Sequence, residues 1–562
     1  MKYAAIKKEF FDGKTLLITA IVAFLVIFHV LPMGYLLFKA FYNGQEFSLE
    51  AFTRIYTSSL NWNALYNTLV SAGLAMIFGV LLAFPLAWLL VRTNLYGRTF
   101  FRTIFVMTYM VPPYVGAMAW LRLLNPRVGT LNVFLTDLFG LAESPFSIYS
   151  IAGLVWVLTT FYYPYAFITI SRALEKMDPS LEEAARISGA SPLKTLFTVT
   201  IPLLSPSLVA AGLLVFIAAA SCYGIPSIIG APGQIDTIST RIIDYVYVGS
   251  PESLTEATSL AVSLMLIANL VLFVSSFVCG RKEYTTVSGK STRPMLVELG
   301  SWRVPLTVIV SLFAIIVVVI PFVTVATTSI TLNLGEPLSL ENCTTRYWEI
   351  VCTRKGILAT ALNSLIAASA AATAGMLISC IMAWLLTRSE SKARHIPDFL
   401  ITLGSGTPSV VIALALIMTM SGRFGINIYN TLTILIIAYL IKYLMMGMRT
   451  VVSAIRQIHP SLEEAALISG AQKLRCFWDI TLPLIAPSVV AGWFLIFMPS
   501  FYELTMSTLL YSTDTKTIGY ELFTYQTYHS QQTASAIATA ILLLVILVNC
   551  ILHKLTKGSF SI

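Results

Sequence analysis

A 27-residue segment occurs twice in this chain, at positions that are 281 residues apart. Residues 181–207 read LEEAARISGASPLKTLFTVTIPLLSPS, and residues 462–488 read LEEAALISGAQKLRCFWDITLPLIAPS. A repetition at half the length of a 562-residue chain indicates that one structural unit is encoded two times. The chain is therefore expected to fold into two equivalent halves, each of which presents this segment in an equivalent place.

Shorter matches extend the repeat towards the start of each half. Three such matches share an offset of 296 residues. The tripeptide NTL at 67–69 matches NSL at 363–365, the tetrapeptide AWLL occurs at 87–90 and at 383–386, and Pro112 matches Pro408. The offset falls to 281 in the long segment because a loop at 125–148 in the first half shrinks to 421–428 in the second. The two halves thus differ in length mainly at this loop.

Long apolar segments recur along the whole chain. Hydrophobic residues make up 57% of it and charged residues only 11%, whereas a soluble domain carries about a quarter charged residues. A segment of about 20 apolar residues can cross a bilayer, and its backbone must then be helical. The sequence predicts an all-α membrane protein with about twelve transmembrane helices, near 15–40, 64–91, 100–124, 149–172, 204–229, 255–280, 304–331, 360–387, 398–420, 429–450, 486–511 and 531–554.

The net charge of +9 is distributed in a way that indicates a membrane protein rather than a nucleic-acid-binding protein. Lys and Arg cluster in alternate loops, and the positive-inside rule places those loops and both termini in the cytoplasm. Residues 1–280 form a first six-helix repeat with the duplicated segment in its loop 173–203. Residues 281–303 form a cytoplasmic linker, and residues 304–562 form a second six-helix repeat with the segment in its loop 451–485. Because six is even, the duplication is parallel and pseudo-two-fold symmetric.

The duplicated segment predicts a helix-turn-helix in each of these two loops. A short helix with an acidic first turn is expected to end at a glycine, Gly189 or Gly470. A second short helix is expected to run on until a proline, Pro202 or Pro483, breaks it at the membrane. The alternative is a pair of amphipathic helices lying on lipid head groups, but such helices favour Lys and Arg over paired Glu.

The spacing of the duplicated segment resembles the coupling motif in the membrane subunits of bacterial type I ATP-binding-cassette (ABC) importers. Both copies have Glu-Ala-Ala, three residues, Gly, nine residues, a β-branched residue and, three positions on, Pro. The resemblance covers both halves of the chain. By this resemblance, the residues that dock an ATPase subunit are Glu183, Ala184, Ala185, Gly189, Glu464, Ala465, Ala466 and Gly470.

This resemblance implies a twelve-helix permease in the bacterial inner membrane. It implies a homodimeric ATP-binding subunit on the cytoplasmic side and an external substrate-binding protein that delivers the cargo. ATP and Mg are then bound by the partner, so this chain is expected to be no enzyme and to bind no cofactor or nucleic acid. Two equal docking sites suit a partner that is itself two-fold symmetric.

Two further stretches indicate the cargo. Residues 223–226 (YGIP) and 503–510 (ELTMSTLL) resemble fused, two-repeat ferric-iron permeases, with Cys222-Tyr223 where that family usually has an acidic residue before Phe-Gly. Ferric iron is therefore the expected cargo. An aminophosphonate, a polyamine or another small anion is the alternative within the same class of transporter, and a secondary transporter is the alternative from another class.

Five residues are candidates for the translocation path. The carboxylate of Glu503 and the phenols of Tyr223 and Tyr502 are hard oxygen ligands suited to Fe³⁺, and an intramembrane carboxylate usually faces a cavity or a partner. Pro112 and Pro408 interrupt two predicted helices at matching positions and would free backbone carbonyls towards the midline. The alternatives are that Glu503 caps an irregular helix or lies near the outer interface, that the tyrosines form an interfacial belt, and that the prolines only kink their helices.

The cysteines and histidines give little sign of a metal or catalytic site. Cys343 and Cys352 lie in one predicted external loop, where a disulfide is one interpretation and two free thiols are the other. The seven cysteines show no CxxC spacing, which argues against zinc. A membrane-embedded enzyme needs a cluster of nucleophile, base or metal ligands, which five scattered histidines do not supply. A secondary transporter would more often show ionisable relays or inverted repeats, and neither is evident.

Overall fold

The computed structural model describes residues 13–42, 46–178, 180–280, 296–336, 339–389, 392–459 and 461–555. Within these ranges, ten helices are long and apolar enough to cross a membrane, and two pairs of bent helices bring the number to twelve when each pair is counted as one broken span. In chain order, spans 1 to 12 are Leu16–Phe41, Ser59–Arg92, Arg98–Thr108 with Pro113–Leu124, Ile151–Lys176, Pro192–Ala220, Pro251–Ser275, Gly300–Thr328, Lys355–Arg388, His395–Gly406 with Ser409–Met420, Leu432–Arg456, Phe477–Phe501 and Gln531–Ile551. The predicted all-α membrane architecture is confirmed.

Short helices lie between the spans, and most of them recur in both halves. The first motif helix is Ser180–Ile187 and the second motif helix is Ser461–Ile468. The other recurring pairs are Glu50–Thr57 with Arg346–Thr353 and Ile238–Val248 with Ile518–Tyr528. The helix Thr130–Phe139 belongs to the loop 125–148, which is longer in the first half. Among the described residues, backbone pairing between extended segments is limited to isolated bridges.

Spans 2, 4 and 5 form a packed core in the first half, and spans 8, 10 and 11 form its equivalent in the second. Glycines permit close approach at matching positions, since Gly79 faces Val215 and Gly375 faces Ile496. A Cβ atom added at these glycines would lie 3.3 Å and 2.9 Å from the facing side chain. In lipid, such tight packing of small residues drives helix association, because the hydrophobic effect cannot.

The first span of each half packs against the other half. Span 1 contacts the second helix of span 9, and span 7 contacts the second helix of span 3. Each of these two spans also packs against the last span of its own half. Span 1 packs against span 6, and span 7 packs against span 12. The first span of each half thus packs against the broken span of the other half, and these two contacts hold the repeats together.

Prolines in spans 1, 5, 7 and 11 follow a local widening of the helix. In each span a five-residue π-helical turn ends two residues before the proline, and these prolines are Pro32, Pro202, Pro321 and Pro483. Proline lacks an N–H group and its ring clashes with the carbonyl four residues earlier, and a π turn moves that carbonyl away. The prediction that Pro202 and Pro483 break their helices is therefore wrong, because spans 5 and 11 continue through them.

Spans 5 and 11 end earlier than predicted, at Ala220 and Phe501 rather than near 229 and 511. A separate π-helical turn, Pro226–Gly230, follows span 5, and a separate helix, Thr505–Leu510, follows span 11. The stretches around Tyr223 and Glu503 therefore lie in breaks and not inside the fifth and eleventh helices.

The predicted linker 281–303 lies partly outside the described residues, which resume at 296, and so do residues 1–12 and 556–562 at the termini. The described end of the linker is joined to the first repeat. Val297 forms a parallel bridge with Thr93, and its amide donates to the carbonyl of Arg92 at 2.8 Å. The linker thus returns to the end of span 2 before span 7 begins.

Cys343 and Cys352 are both free and exposed, which agrees with the interpretation of two free thiols. Cys343 is held in an antiparallel bridge with Thr331, whereas Cys352 lies near the end of the helix that begins at Arg346.

We expect Cys343 and Cys352 to react with a membrane-impermeant maleimide added to intact cells, without prior reduction. They lie between spans 7 and 8, on the face opposite the motif helices, and both are exposed. A gel shift that is lost in the Cys343→Ser, Cys352→Ser double variant measures this reaction. Labelling that requires a reductant would indicate a disulfide, and labelling that requires permeabilised cells would contradict the external placement that the positive-inside rule predicts for this loop.

Candidate functional site

The two motif helices begin in the same way. The amide of Ser180 donates to the carboxylate of Asp178 at 2.9 Å, and the amide of Ser461 donates to Nδ1 of His459 at 3.3 Å. The bond from Ser180 lowers the pKa of Asp178, because an amide donor favours the charged carboxylate. Different side chains thus satisfy the same free helix amide in the two halves.

The motif helices also end in the same way, in a Schellman motif. In the first, the amide of Gly189 donates to the carbonyl of Arg186 at 2.9 Å, and that of Ala190 donates to the carbonyl of Ala185 at 3.0 Å. The equivalent two bonds around Gly470 are both 3.0 Å. The two glycines have φ angles of +87° and +90°, which glycine adopts without a steric cost. The prediction that these glycines end the helices is confirmed.

Each motif helix presents an apolar and acidic face to the surroundings. Ile187 and Ile468 are each 88% exposed. Within the described residues, the carboxylates of Glu183 and Glu464 form no hydrogen bond or ion pair, so both are available to a basic group of a partner. The four alanines of the motif are exposed or half-buried, and they are Ala184, Ala185, Ala465 and Ala466. A protruding isoleucine beside a free carboxylate and short alanines allows close contact with another protein.

Spans 3 and 9 are interrupted at Pro112 and Pro408, where their helices bend by 99° and 108°. At the second break, Nζ of Lys442 donates to the carbonyls of Ser405 at 3.0 Å and Thr407 at 2.8 Å. These carbonyls lie at the end of a helix, where they have no helical partner and carry the negative end of the helix dipole. Lys442 therefore satisfies the break inside the membrane.

The first half fills the corresponding place with an apolar side chain. Phe161 stands at the position equivalent to Lys442. Its ring packs so closely on Gly116 that a Cβ atom there would lie 1.9 Å from it. Near the break in span 3, the first half thus has a packed aromatic ring. Near the equivalent break in span 9, the second half has a lysine that binds the free carbonyls.

Glu503 is 6% exposed and lies between span 11 and the helix Thr505–Leu510. Its Oε2 atom accepts hydrogen bonds from the amides of Met506 at 2.8 Å and Ser507 at 3.1 Å. A carboxylate in this place caps the helix and complements the positive end of its dipole. Lys442 and Glu503 are thus two ionisable side chains that bind backbone groups at interruptions of the second half.

Tyr114 contacts the chain next to two of the predicted path residues, Tyr223 and Glu503. The hydroxyl of Tyr114 donates to the carbonyl of Tyr502 at 3.0 Å. Gly224, next to Tyr223, packs on the same residue, since a Cβ atom there would lie 2.9 Å from Cβ of Tyr114. The backbone at Tyr502 and at Gly224 is thus held against one tyrosine, two residues after Pro112, whereas the ring of Tyr223 packs on that of Phe523 with centroids 5.8 Å apart.

Lys442 and the two exposed isoleucines were missed by the sequence-based prediction, although each carried a signal. Lys442 is the one charged residue in the apolar stretch 432–448, and an intramembrane charge marks a functional position by default. Ile187 and Ile468 are identical residues at the repeat offset within a polar turn. Among the described residues, His, Cys, Asp and Glu form no group of three that could hold a metal ion.

The repeated architecture and the motif helices agree with a known family. The family described as "Binding-protein-dependent transport system inner membrane component" matches residues 75–282 and 375–558, once in each half. The chain belongs to this family. It is therefore a multi-pass inner-membrane permease of an ABC importer, as its coupling motif predicted.

Two ferric transport relatives match nearly the whole chain, and other relatives match part of it. It is 27% identical over 523 residues to a ferric transport system permease protein of Actinobacillus pleuropneumoniae, which covers 92% of this chain and 74% of the relative. It is 26% identical over 540 residues to an Fe(3+)-transport system permease protein of Haemophilus influenzae, which covers 94% and 96%. A molybdenum transport system permease protein of Escherichia coli is 28% identical over 218 residues, which covers 38% and 92%. A chain from a solved bacterial ABC transporter involved in alginate import is 18% identical to this chain, with a TM-score of 0.41. The match covers 51% of this chain and 100% of the chain in that structure.

Replacement of Glu503 by Leu is expected to lower the thermal stability of the purified permease. The amides of Met506 and Ser507 would lose their buried acceptor, and each stranded donor costs about 1–3 kcal/mol. Glu503→Gln keeps an acceptor oxygen of the same reach and is expected to lose less. Thermal unfolding in detergent measures both variants, and equal losses would show that the cap does not stabilise this break.

Proposed function

We propose that this chain is the permease of a ferric iron importer. The observation that carries the proposal is the match to permeases described as ferric transport proteins over 92% and 94% of the chain, through both halves. The molybdenum transport relative matches 38% of the chain. Similarity to the ferric relatives thus extends to the second half, where Lys442 and Glu503 lie.

In this proposal a homodimeric ATP-binding subunit docks on both motif helices from the cytoplasm. The equal geometry of the two helices supports it, because a symmetric partner needs two equal contacts. ATP and Mg are bound by that partner, which supplies the energy. The docking contacts are made by Glu183, Ala184, Ala185 and Gly189 and by Glu464, Ala465, Ala466 and Gly470.

The proposal also fixes the orientation of the permease. The loops rich in Lys and Arg, the linker and both termini lie in the cytoplasm, as the positive-inside rule requires. The helices Ile238–Val248 and Ile518–Tyr528 then lie on the external face. They carry the exposed Tyr247 and Tyr528, and an external binding protein delivers its cargo at this face.

The proposed path runs between the two halves at the place where the breaks meet. Tyr223, Tyr502 and Glu503 offer hard oxygen atoms there, and Pro112 and Pro408 set the bends of the adjoining spans. Glu503 serves both as a helix cap and as a negative charge beside the path. Fe³⁺ is in this account a cargo that passes these groups, not a resident cofactor.

The test is reconstitution of the permease in proteoliposomes with the ATPase and binding protein that are co-encoded with it. Ferric-loaded binding protein is expected to stimulate ATP hydrolysis and to drive uptake of radioactive iron. Unloaded binding protein is the matched control. Stimulation by binding protein loaded with a phosphonate, a polyamine or molybdate, without stimulation by ferric ion, would overturn the cargo assignment.

A glycine variant separates cargo from docking in the same assay. Gly189→Val with Gly470→Val is expected to insert in the membrane but to lose the ATPase subunit, because valine is strained at φ angles near +90°. Asparagine tolerates this backbone region, and no atom lies within 4 Å of the added Cβ, so the matched Asn pair is expected to retain more of the subunit. Full transport by the valine pair would contradict docking at the motif helices.

A further inference from the structure

The first glutamate of each Glu-Glu pair turns away from the docking face. The carboxylate of Glu182 lies 3.7 Å from Nε of Arg92, the last residue of span 2. The carboxylate of Glu463 lies 3.0 Å from Nε of Arg388, the last residue of span 8. Each motif helix is thus joined by charge to the end of a membrane span.

The second oxygen of each carboxylate binds the span that follows the motif helix. Oγ1 of Thr200 donates to Oε1 of Glu182 at 2.6 Å, and Oγ1 of Thr481 donates to Oε1 of Glu463 at 3.1 Å. Both threonines are 1% exposed, and both end the π-helical turn that precedes the proline of span 5 or span 11. One carboxylate therefore connects two spans through the motif helix.

Each arginine also reaches the end of the span that precedes the motif helix. Arg92 donates to the carbonyl of Leu174 at 2.8 Å and to that of Met177 at 3.1 Å. Arg388 donates to the carbonyl of Ile458 at 3.1 Å, the position equivalent to Met177. The carbonyls of Met177 and Ile458 lie just beyond the ends of spans 4 and 10, and that of Leu174 lies in the last turn of span 4. The fork of a guanidinium can bind such carbonyls and a carboxylate together.

We name Arg92, Glu182 and Thr200 the first bracket, and Arg388, Glu463 and Thr481 the second bracket. The members stand at equivalent positions, although the arginines are 296 residues apart and the other pairs 281. Arg92 is 2% exposed, and a buried guanidinium is costly unless it is paired and hydrogen-bonded. The same arrangement in both halves shows that the contact belongs to the repeat itself.

We propose that the brackets make each motif helix move as one body with the packed core of its half. Arg92 and Arg388 are then positioning residues, which act through the motif helices and touch neither cargo nor nucleotide. Without a bracket, displacement of a motif helix would bend its two loops. With the bracket, displacement turns spans 2, 4 and 5, or 8, 10 and 11, and spans 5 and 11 lead directly to the breaks at Tyr223 and Glu503. This inference rests on the proposed docking of an ATP-binding subunit.

The test uses the assembled transporter with Glu182→Gln and Glu463→Gln, which remove the charge and keep the size of the side chain. Three quantities are measured: retention of the ATP-binding subunit, ions of iron transported per ATP hydrolysed, and the change in thiol labelling of Cys222 when an ATP analogue is added. Cys222 stands at the position equivalent to Glu503 and is buried, so its labelling reports opening of the path without any cargo. We expect retention within twofold of the wild type, and at least a tenfold loss in ions per ATP together with loss of the labelling change.

An unchanged number of iron ions transported per ATP in the glutamine pair would overturn the inference. A parallel loss of subunit retention and of ions per ATP would also overturn it, because that result would assign these glutamates to docking. If the wild-type complex retains no ATP-binding subunit, the proposed function fails instead. If it retains the subunit but moves no iron, the cargo assignment fails and the Cys222 readout still tests the brackets.

Two further variants keep the result interpretable if the glutamine pair folds poorly. Arg388→Lys keeps the charge but cannot bind Glu463 and the Ile458 carbonyl as a fork, so intermediate coupling is expected at near wild-type stability. Coupling that follows thermal stability across the variants would assign the brackets a purely structural role and overturn the inference. Arg54→Gln is the matched control, because it removes an ion pair with Glu256 on the opposite face.

Discussion

Hydrocarbon offers no hydrogen-bond partner, so each interruption of a helix in the membrane must be satisfied by the chain itself. Lys442 binds the carbonyls left by the break in span 9, and Glu503 binds the amides at the start of the helix after span 11. Spans 1, 5, 7 and 11 accommodate proline behind a π-helical turn, without a break. The interruptions lie at corresponding places in the two halves, and they bring Tyr114, Tyr502 and Gly224 together between the repeats.

The halves are alike at the surface that the ATP-binding subunit is proposed to contact and differ at the centre. The motif helices share their glycine ends, and the brackets share the same three residue types. At the centre, Lys442 and Glu503 of the second half correspond to Phe161 and Cys222 of the first. A symmetric energy source needs equal contacts, whereas a single path through the membrane lies between both halves and has no need of equal linings. Duplication followed by divergence at the centre accounts for both observations.

Much of this fold could be predicted from the sequence because lipid leaves few choices. Apolar length located the twelve spans, and the repeat offset identified the equivalent positions, including Gly189 and Gly470. The continuation of spans 5 and 11 through Pro202 and Pro483 could not be predicted, since a π turn has no residue signature comparable to that of proline. The brackets were also out of reach, because Arg92 and Glu182 are distant in sequence and meet only when span 2 packs against span 4. Cys343 and Cys352 were placed in one loop correctly, but the helix Arg346–Thr353 in that loop was not foreseen.

Two equivalent docking sites on one chain are the central claim, and the stoichiometry of the purified complex tests it most directly. Native mass spectrometry of the permease with its ATP-binding subunit is expected to show one permease chain with two copies of that subunit. The variant Gly470→Val, which strains only the second motif helix, is expected to shift the population towards one copy. A wild-type complex that holds a single ATP-binding subunit at saturating concentration would contradict the account.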